Sequence, residues 1–146
     1  MNIPFHKPYI SKLEMDSVID AMQSGWLTMG PKTVEFEFAF QSYINAKHSI
    51  SVNSATAALH LALNALGVKR GDEVIIPTNT FVSTAEAVAY SGAVPVLCDI
   101  ESTNHNININ LIENLITKNT KAIIPVHFAG HPCEMDEILD IAHSNN

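Results

Sequence analysis

The chain has 146 residues, of which 47% are hydrophobic and 16% charged, a composition typical of one globular domain. Its formal net charge of −7 argues against a surface that binds nucleic acid or anionic membranes. No apolar run has the length of a membrane span, and the only two cysteines, Cys98 and Cys133, lie in different segments. We therefore expect a cytoplasmic protein without disulfides.

The N-terminal third predicts two helices that flank a glycine-bounded loop. Residues 12–24 carry apolar side chains at helical spacing, and Ser11 with Glu14 has the pattern of a capping box. The loop spans residues 25–31, and residues 33–45 predict a second helix rich in aromatic side chains.

The rest of the chain alternates between short apolar runs and helical segments. Strands are predicted at residues 49–52, 73–77, 93–98 and 121–126, and helices at 56–66, 81–91, 110–117 and 134–143. This alternation predicts an α/β fold with three layers, in which helices cover both faces of a mostly parallel sheet. The chain ends after a helix, where the alternation predicts a further strand.

The turn Ser54-Ala55-Thr56, at the start of a predicted helix, is a candidate anion site. Small residues allow a phosphate to approach the backbone, and the first turn of a helix has free N–H groups. An ordinary helix cap has the same composition, so the residues alone leave both interpretations open. The glycine patterns of dinucleotide and P-loop folds are absent.

Three further residues are candidates for ligand contact. Phe81 stands between a predicted strand and a helix, where an aromatic ring either stacks on a flat ligand or packs in the core. For Trp26 three roles stay open: lining a ligand cleft, forming an oligomer interface or covering the core. His127 follows a predicted parallel strand, where ligands usually bind. The group formed by His127, His131 and Cys133 lacks the spacing of a zinc site, so we predict no metal.

Five segments, in order and with matching spacing, resemble the DegT/DnrJ/EryC1/StrS family of pyridoxal-phosphate-dependent sugar-nucleotide aminotransferases. They are residues 25–31, 54–60, 71–77, 80–84 and 122–130. The resemblance implies the N-terminal part of the large domain of a fold-type-I enzyme. It divides the chain into a helix and substrate-side loop, residues 1–32, and an incomplete cofactor-binding domain, residues 33–146.

The resemblance also implies roles for individual residues. The cofactor phosphate would bind at Ser54, Ala55 and Thr56, and the ring would stack on Phe81. The substrate would meet the loop that carries Trp26 and Thr28, and we place His127 beside it as a further substrate contact. The implied partners are a nucleotide sugar (most similar to a 4-keto-6-deoxy sugar), an amino donor (usually glutamate) and a second subunit of a homodimer.

Family members also need a Schiff-base lysine and a carboxylate against the pyridinium nitrogen, and both follow the point where this chain ends. The lysines present lie in the N-terminal arm or in polar turns, where nothing would desolvate an amine. We therefore expect no catalytic residue in this chain, and exposed apolar surface that favours self-association. The alternative is a non-catalytic binding or assembly module that retains the phosphate site. An unrelated nucleotide-binding domain would leave the five matched segments unexplained.

Overall fold

The computed structural model describes residues 3, 4 and 6–145; Met1, Asn2, Phe5 and Asn146 lie outside the described part. Its elements are α1 (Lys12–Ser24), α2 (Pro31–Tyr43), α3 (Ala55–Ala65), β1 (Glu73–Pro77), α4 (Val82–Tyr90), β2 (Val94–Cys98), α5 (Ile109–Leu115), β3 (Thr120–Ile123), a 3-10 turn (Phe128–Gly130) and α6 (Met135–Ser144). None of the helices in these residues combines the length and the apolar composition needed to cross a membrane.

Two compact units make up the chain, Met1–Ser51 and Val52–Asn146. The first unit contains α1 and α2, and the second contains the sheet and the other helices. The second predicted helix therefore belongs to the first unit. The division at residue 32, into a substrate-side segment and a cofactor domain, concerns function and stays a prediction.

Helix α1 has the predicted cap at each end. The Ser11 N–H donates to Glu14 Oε2 at 2.6 Å, and the Leu13 N–H donates to Ser11 Oγ at 3.2 Å. The hydrogen bonds from Ser11 hold the pKa of the Glu14 carboxyl below its ordinary value. Gly25, with φ of 77°, ends the helix in the left-handed conformation. The capping box and the glycine stop are thus confirmed.

Helix α2 begins two residues earlier than predicted because Pro31 occupies its first turn, where the missing N–H costs no hydrogen bond. Neither α1 nor α2 has a fully buried residue among those described. Large apolar side chains on both helices are instead exposed, among them Leu13 at 76% and Phe38 at 68%.

The second unit is built on a parallel three-stranded sheet with the order β2-β1-β3. Strand β1 pairs with β2 from Glu73↔Val94 to Pro77↔Cys98, and with β3 up to Ile75↔Ile123. A register shift interrupts the second ladder between Glu73 and Val74. The parallel sheet predicted from the alternation is confirmed.

Strand β1 is buried on both faces. Val74 and Ile76 pack with Leu63 of α3 and Val88 of α4. Ile75 points to the opposite face and belongs to a second cluster, formed with Cys98, Ile107, Ile112, Cys133 and Ile138. Helices α3 and α4 therefore cover one face and α5 and α6 the other, which confirms the three-layer arrangement.

The prediction of a strand at residues 49–52 is wrong. The segment has no partner strand among the described residues, and Ile50 is 80% exposed. The Ser51 N–H donates to Glu37 Oε1 at 2.6 Å, a side-chain acceptor in place of a ladder partner. The last predicted strand, residues 121–126, is shorter, although the Ile124 N–H still donates to the Ile75 carbonyl at 2.9 Å.

Strand β2 lies at one edge of the described sheet and contains a proline. The Val94 N–H donates to the Asp72 carbonyl at 2.9 Å, and the Cys98 carbonyl accepts from Thr78 at 2.8 Å. Because backbone groups alternate in direction along a strand, Pro95 faces away from β1. Its missing N–H therefore costs no bond in the ladder.

Replacing Ile75 with alanine should destabilise the chain by about 2–5 kcal/mol, because the side chain is fully buried and leaves a cavity. The matched control is Ile50→Ala, which should change the free energy of unfolding by no more than about 0.5 kcal/mol since Ile50 is exposed. Urea denaturation followed by circular dichroism measures both. Equal losses for the two variants would contradict the central position of β1.

Candidate functional site

The carboxyl ends of β1 and β2 open onto a cleft of about 420 Å³. It is lined by Thr78, Asn79, Asp99, Ile100, His105 and Phe128. Asp99 Oδ1 accepts from Thr78 Oγ1 at 3.3 Å and from the Ile100 N–H at 2.8 Å. His105 is exposed and lies edge-on to the Phe128 ring at 5.4 Å between centroids. This edge of a parallel sheet is the usual place for ligands in α/β proteins.

The predicted anion turn forms the N-terminus of α3. Ser54 is the N-cap, and its Oγ accepts from the Ala57 N–H at 3.1 Å. In the described part of the chain the N–H groups of Ala55 and Thr56 have no hydrogen-bond partner. Ser54 and Ala55 are exposed and Thr56 is half-buried. The turn can therefore offer two backbone donors at the positive end of a helix dipole.

Phe81 is the N-cap residue of α4, and its ring is 75% exposed. It belongs to neither core cluster. The turn before it is fixed by a hydrogen bond of 2.8 Å from Thr80 Oγ1 to Thr84 Oγ1, and Thr84 is buried. Of the two predicted roles, a place in the core is not the one seen here, and ring stacking stays a prediction.

Short turns connect α3 to β1 and β1 to α4, and both helices pack on one face of the sheet. Each helix must then run antiparallel to β1, so the two N-termini point toward the carboxyl edge of the strands. The anion turn and Phe81 therefore lie at the edge of the sheet where the cleft opens.

His127 follows β3 and is exposed. Its Nδ1 accepts from the Cys133 N–H at 3.0 Å. Cys133 itself is buried, and its Sγ contacts the Val126 carbonyl at 3.3 Å. Burial raises the pKa of the Cys133 thiol, as it does for Cys98, so neither is a ready thiolate. Among the described residues no group of three acidic, histidine or cysteine side chains is placed to hold a metal.

Trp26 and Thr28 lie in the first unit and share a small pocket of about 130 Å³ with Asp20, Ser24 and Lys32. The Trp26 ring packs on Gly30, where an added Cβ would lie 3.1 Å from Trp26 Cε3. The ring is 58% exposed, so it does not cover a core within this unit.

Asn106 is a buried polar residue that the sequence analysis did not single out. It lies in an asparagine-rich turn whose composition indicates solvent exposure, yet only 3% of it is exposed. Its side chain bonds to residues 22 to 26 positions further along the chain. No signal within the turn itself could have identified these bonds.

Comparisons with known proteins agree on one family. The sequence profile of the DegT/DnrJ/EryC1/StrS aminotransferase family matches residues 8–146. The chain is 54% identical over 140 residues to an uncharacterized protein of Methanocaldococcus jannaschii, MJ1066, covering 96% of this chain and 36% of that protein. It is 46% identical over 143 residues to the spore coat polysaccharide biosynthesis protein SpsC of Bacillus subtilis, covering 98% and 37% respectively.

A solved structure has the same fold. The putative sugar aminotransferase Spr1654 of Streptococcus pneumoniae superposes with a TM-score of 0.92 at 41% identity, covering 97% of this chain and 36% of that one. Spr1654 is known in PLP and PMP forms, so pyridoxal phosphate is the cofactor of the family. The chain thus spans little more than a third of the length of these relatives.

A methyl group added at Gly30 should displace the Trp26 ring, because the new Cβ would lie 3.1 Å from ring atoms. Since Trp26 is the only tryptophan, intrinsic fluorescence reports on it alone. We expect Gly30→Ala to shift the emission, at a cost below about 1 kcal/mol because the ring has room to move. Ser42→Ala, an exposed change in α2, is the control. An unaltered emission spectrum in Gly30→Ala would show that the packing is absent in solution.

Proposed function

The chain belongs to the DegT/DnrJ/EryC1/StrS aminotransferase family, and from this membership we propose that it is the N-terminal, cofactor-binding part of an aminotransferase. The match over residues 8–146 carries the proposal. The substrate we propose is a keto sugar on a nucleotide carrier, a 4-keto-6-deoxy sugar with glutamate as donor. Support comes from the sugar named for Spr1654, the polysaccharide named for SpsC, and the loop over residues 25–31.

The cofactor phosphate would bind at the N-terminus of α3. The two free N–H groups of Ala55 and Thr56 would donate to its oxygens, with the Thr56 hydroxyl as a further donor. The Ser54 hydroxyl accepts a hydrogen bond from the Ala57 N–H and so stabilises the first turn of α3. The exposed ring of Phe81 would stack on the cofactor ring. When bound, pyridoxal phosphate supplies a carrier for the amino group and an electron sink.

Substrate contacts are proposed for Trp26, Thr28 and His127. Trp26 presents more than half of its surface, which suits contact with a sugar or a base. His127 presents an exposed imidazole after β3, at the carboxyl end of the strand. These residues bind and orient, and no proton transfer is assigned to them.

No lysine of the chain is suited to bond the cofactor. All seven are exposed, and Lys32 Nζ lies 3.6 Å from Glu35 Oε2 in a surface ion pair. None of them lies in the enclosed, apolar surroundings that activate a Schiff-base lysine. We therefore propose that this chain alone does not catalyse amino transfer.

The same observations leave a second candidate, a non-catalytic binding or assembly module that uses the phosphate site. The exposed apolar side chains of α1 and α2 support a partner surface, for which we propose a second copy in a homodimer. A cytoplasmic location and the absence of nucleic-acid and membrane partners remain predictions from composition and charge.

Treatment of the isolated chain with pyridoxal phosphate and borohydride should give no stoichiometric adduct on any one lysine. Exposed lysines should react sparsely and in the same pattern in the folded and the denatured chain, as mapped by peptide mass spectrometry. One fully modified lysine, or measurable amino transfer, would contradict the proposal. Binding that requires the phosphate, judged against pyridoxal, would support the phosphate site that both candidates share.

Removal of the Phe81 ring in the full-length protein tests whether this ring stacks on the cofactor. Phe81→Leu should raise the Kd for pyridoxal phosphate by about two- to tenfold, the typical contribution of an aromatic pair. Tyr90→Leu, which removes an exposed aromatic ring at the opposite end of α4, should leave the Kd unchanged. Absorbance titration measures both, and identical Kd values for the two variants would remove Phe81 from the site.

A further inference from the structure

We propose that Asn106 is a positioning residue that holds the segment 127–133 in place and thereby fixes the tautomer of His127. The side chain of Asn106 lies 3% exposed beneath this segment. Its Oδ1 accepts from the Phe128 N–H at 3.0 Å. Its Nδ2 donates to the carbonyls of His131 and Pro132, at 3.1 and 3.0 Å.

These three bonds use both halves of the amide, so its orientation is determined. A reversed amide would set its NH2 group against the Phe128 N–H and its oxygen against two carbonyls. Asn106 is itself anchored, because its N–H donates to Asn104 Oδ1 at 2.9 Å and its carbonyl accepts from the Glu101 N–H at 2.8 Å. The backbone of Asn106 is therefore held in place, and its side chain acts as a fixed clamp on the segment 127–133.

The segment needs such a clamp because its backbone is unusual. Ala129 and Gly130 have φ values of 50° and 81°, two consecutive residues in the left-handed region. Alanine is unfavourable there, so outside contacts must stabilise the turn. Asn106 supplies them on both sides of the two residues, to Phe128 before them and to His131 and Pro132 after them.

His127 and Cys133, the two end residues of the same segment, are joined by a hydrogen bond. The Cys133 N–H donates to His127 Nδ1 at 3.0 Å. A backbone amide only donates, so Nδ1 must carry its lone pair, and the proton of the neutral ring sits on Nε2. Because Asn106 holds the residues next to both partners, it maintains the approach of Cys133 to the imidazole.

The result is an imidazole whose Nε2–H is a hydrogen-bond donor at the carboxyl end of β3. Such a donor suits an oxygen acceptor, a carbonyl or hydroxyl oxygen of a sugar. That His127 meets a substrate oxygen rests on the function proposed above, whereas the clamp and the tautomer do not.

The test compares Asn106→Asp with Asn110→Asp in the full-length protein, without cofactor or substrate. Asn106→Asp keeps the acceptor for the Phe128 N–H but places a carboxylate oxygen against two carbonyls. Asn110 is exposed on α5 and its side chain makes no hydrogen bond to residues 127–133, so its substitution makes the same chemical change without removing a bond to the segment. Hydrogen exchange of peptide 127–133, identical in all three proteins, should quicken about tenfold in Asn106→Asp alone. Exchange of α4 should not change.

Nitrogen NMR of histidine-labelled protein gives the second readout, with His127→Gln used to assign the signal. In the unaltered protein His127 should show an unprotonated Nδ1 and a protonated Nε2, and Asn106→Asp should mix the two tautomers. Unchanged exchange in Asn106→Asp, equal acceleration in α4, or a protonated Nδ1 in the unaltered protein would each overturn the proposal. The last measurement does not use Asn106→Asp, so a failure of that variant to fold does not prevent the test.

Discussion

The double burial of β1 is the constraint on which the rest of the second unit depends. Val74 and Ile76 require an apolar layer on one face, and Ile75 requires another on the opposite face. Helices must therefore cover both sides, and the connections from β1 and β2 leave toward different faces. The carboxyl edge of the sheet is left open between these connections, and the cleft and the anion turn both lie there.

Most of the fold could be predicted because its signals are local. The capping box of Ser11 and Glu14 and the stop at Gly25 gave the bounds of α1 correctly. Alternation of apolar runs and helical segments was sufficient for the parallel sheet and its two helix layers. Residues 49–52 show the limit of that signal, because an apolar run indicates extended backbone but not the partner strand that a ladder requires.

The candidate site divides in the same way. Ser54, Ala55 and Thr56 could be located from the sequence because an N-cap is a property of adjacent residues. Asn106 could not, since its three side-chain bonds reach a segment more than twenty residues away. Composition also misleads there, because the asparagine-rich turn has the character of a surface loop while one of its side chains forms the support of another loop. Whether the ring of Phe81 lay in the core or outside it was likewise decided by packing.

Pro95 makes the outer edge of β2 a poorer partner for a further strand. The outward edge of β2 lacks one of the N–H donors that an added strand would need, and the ladder to β1 loses nothing by it. A further strand that paired with this outer edge would therefore lack one backbone hydrogen bond at Pro95.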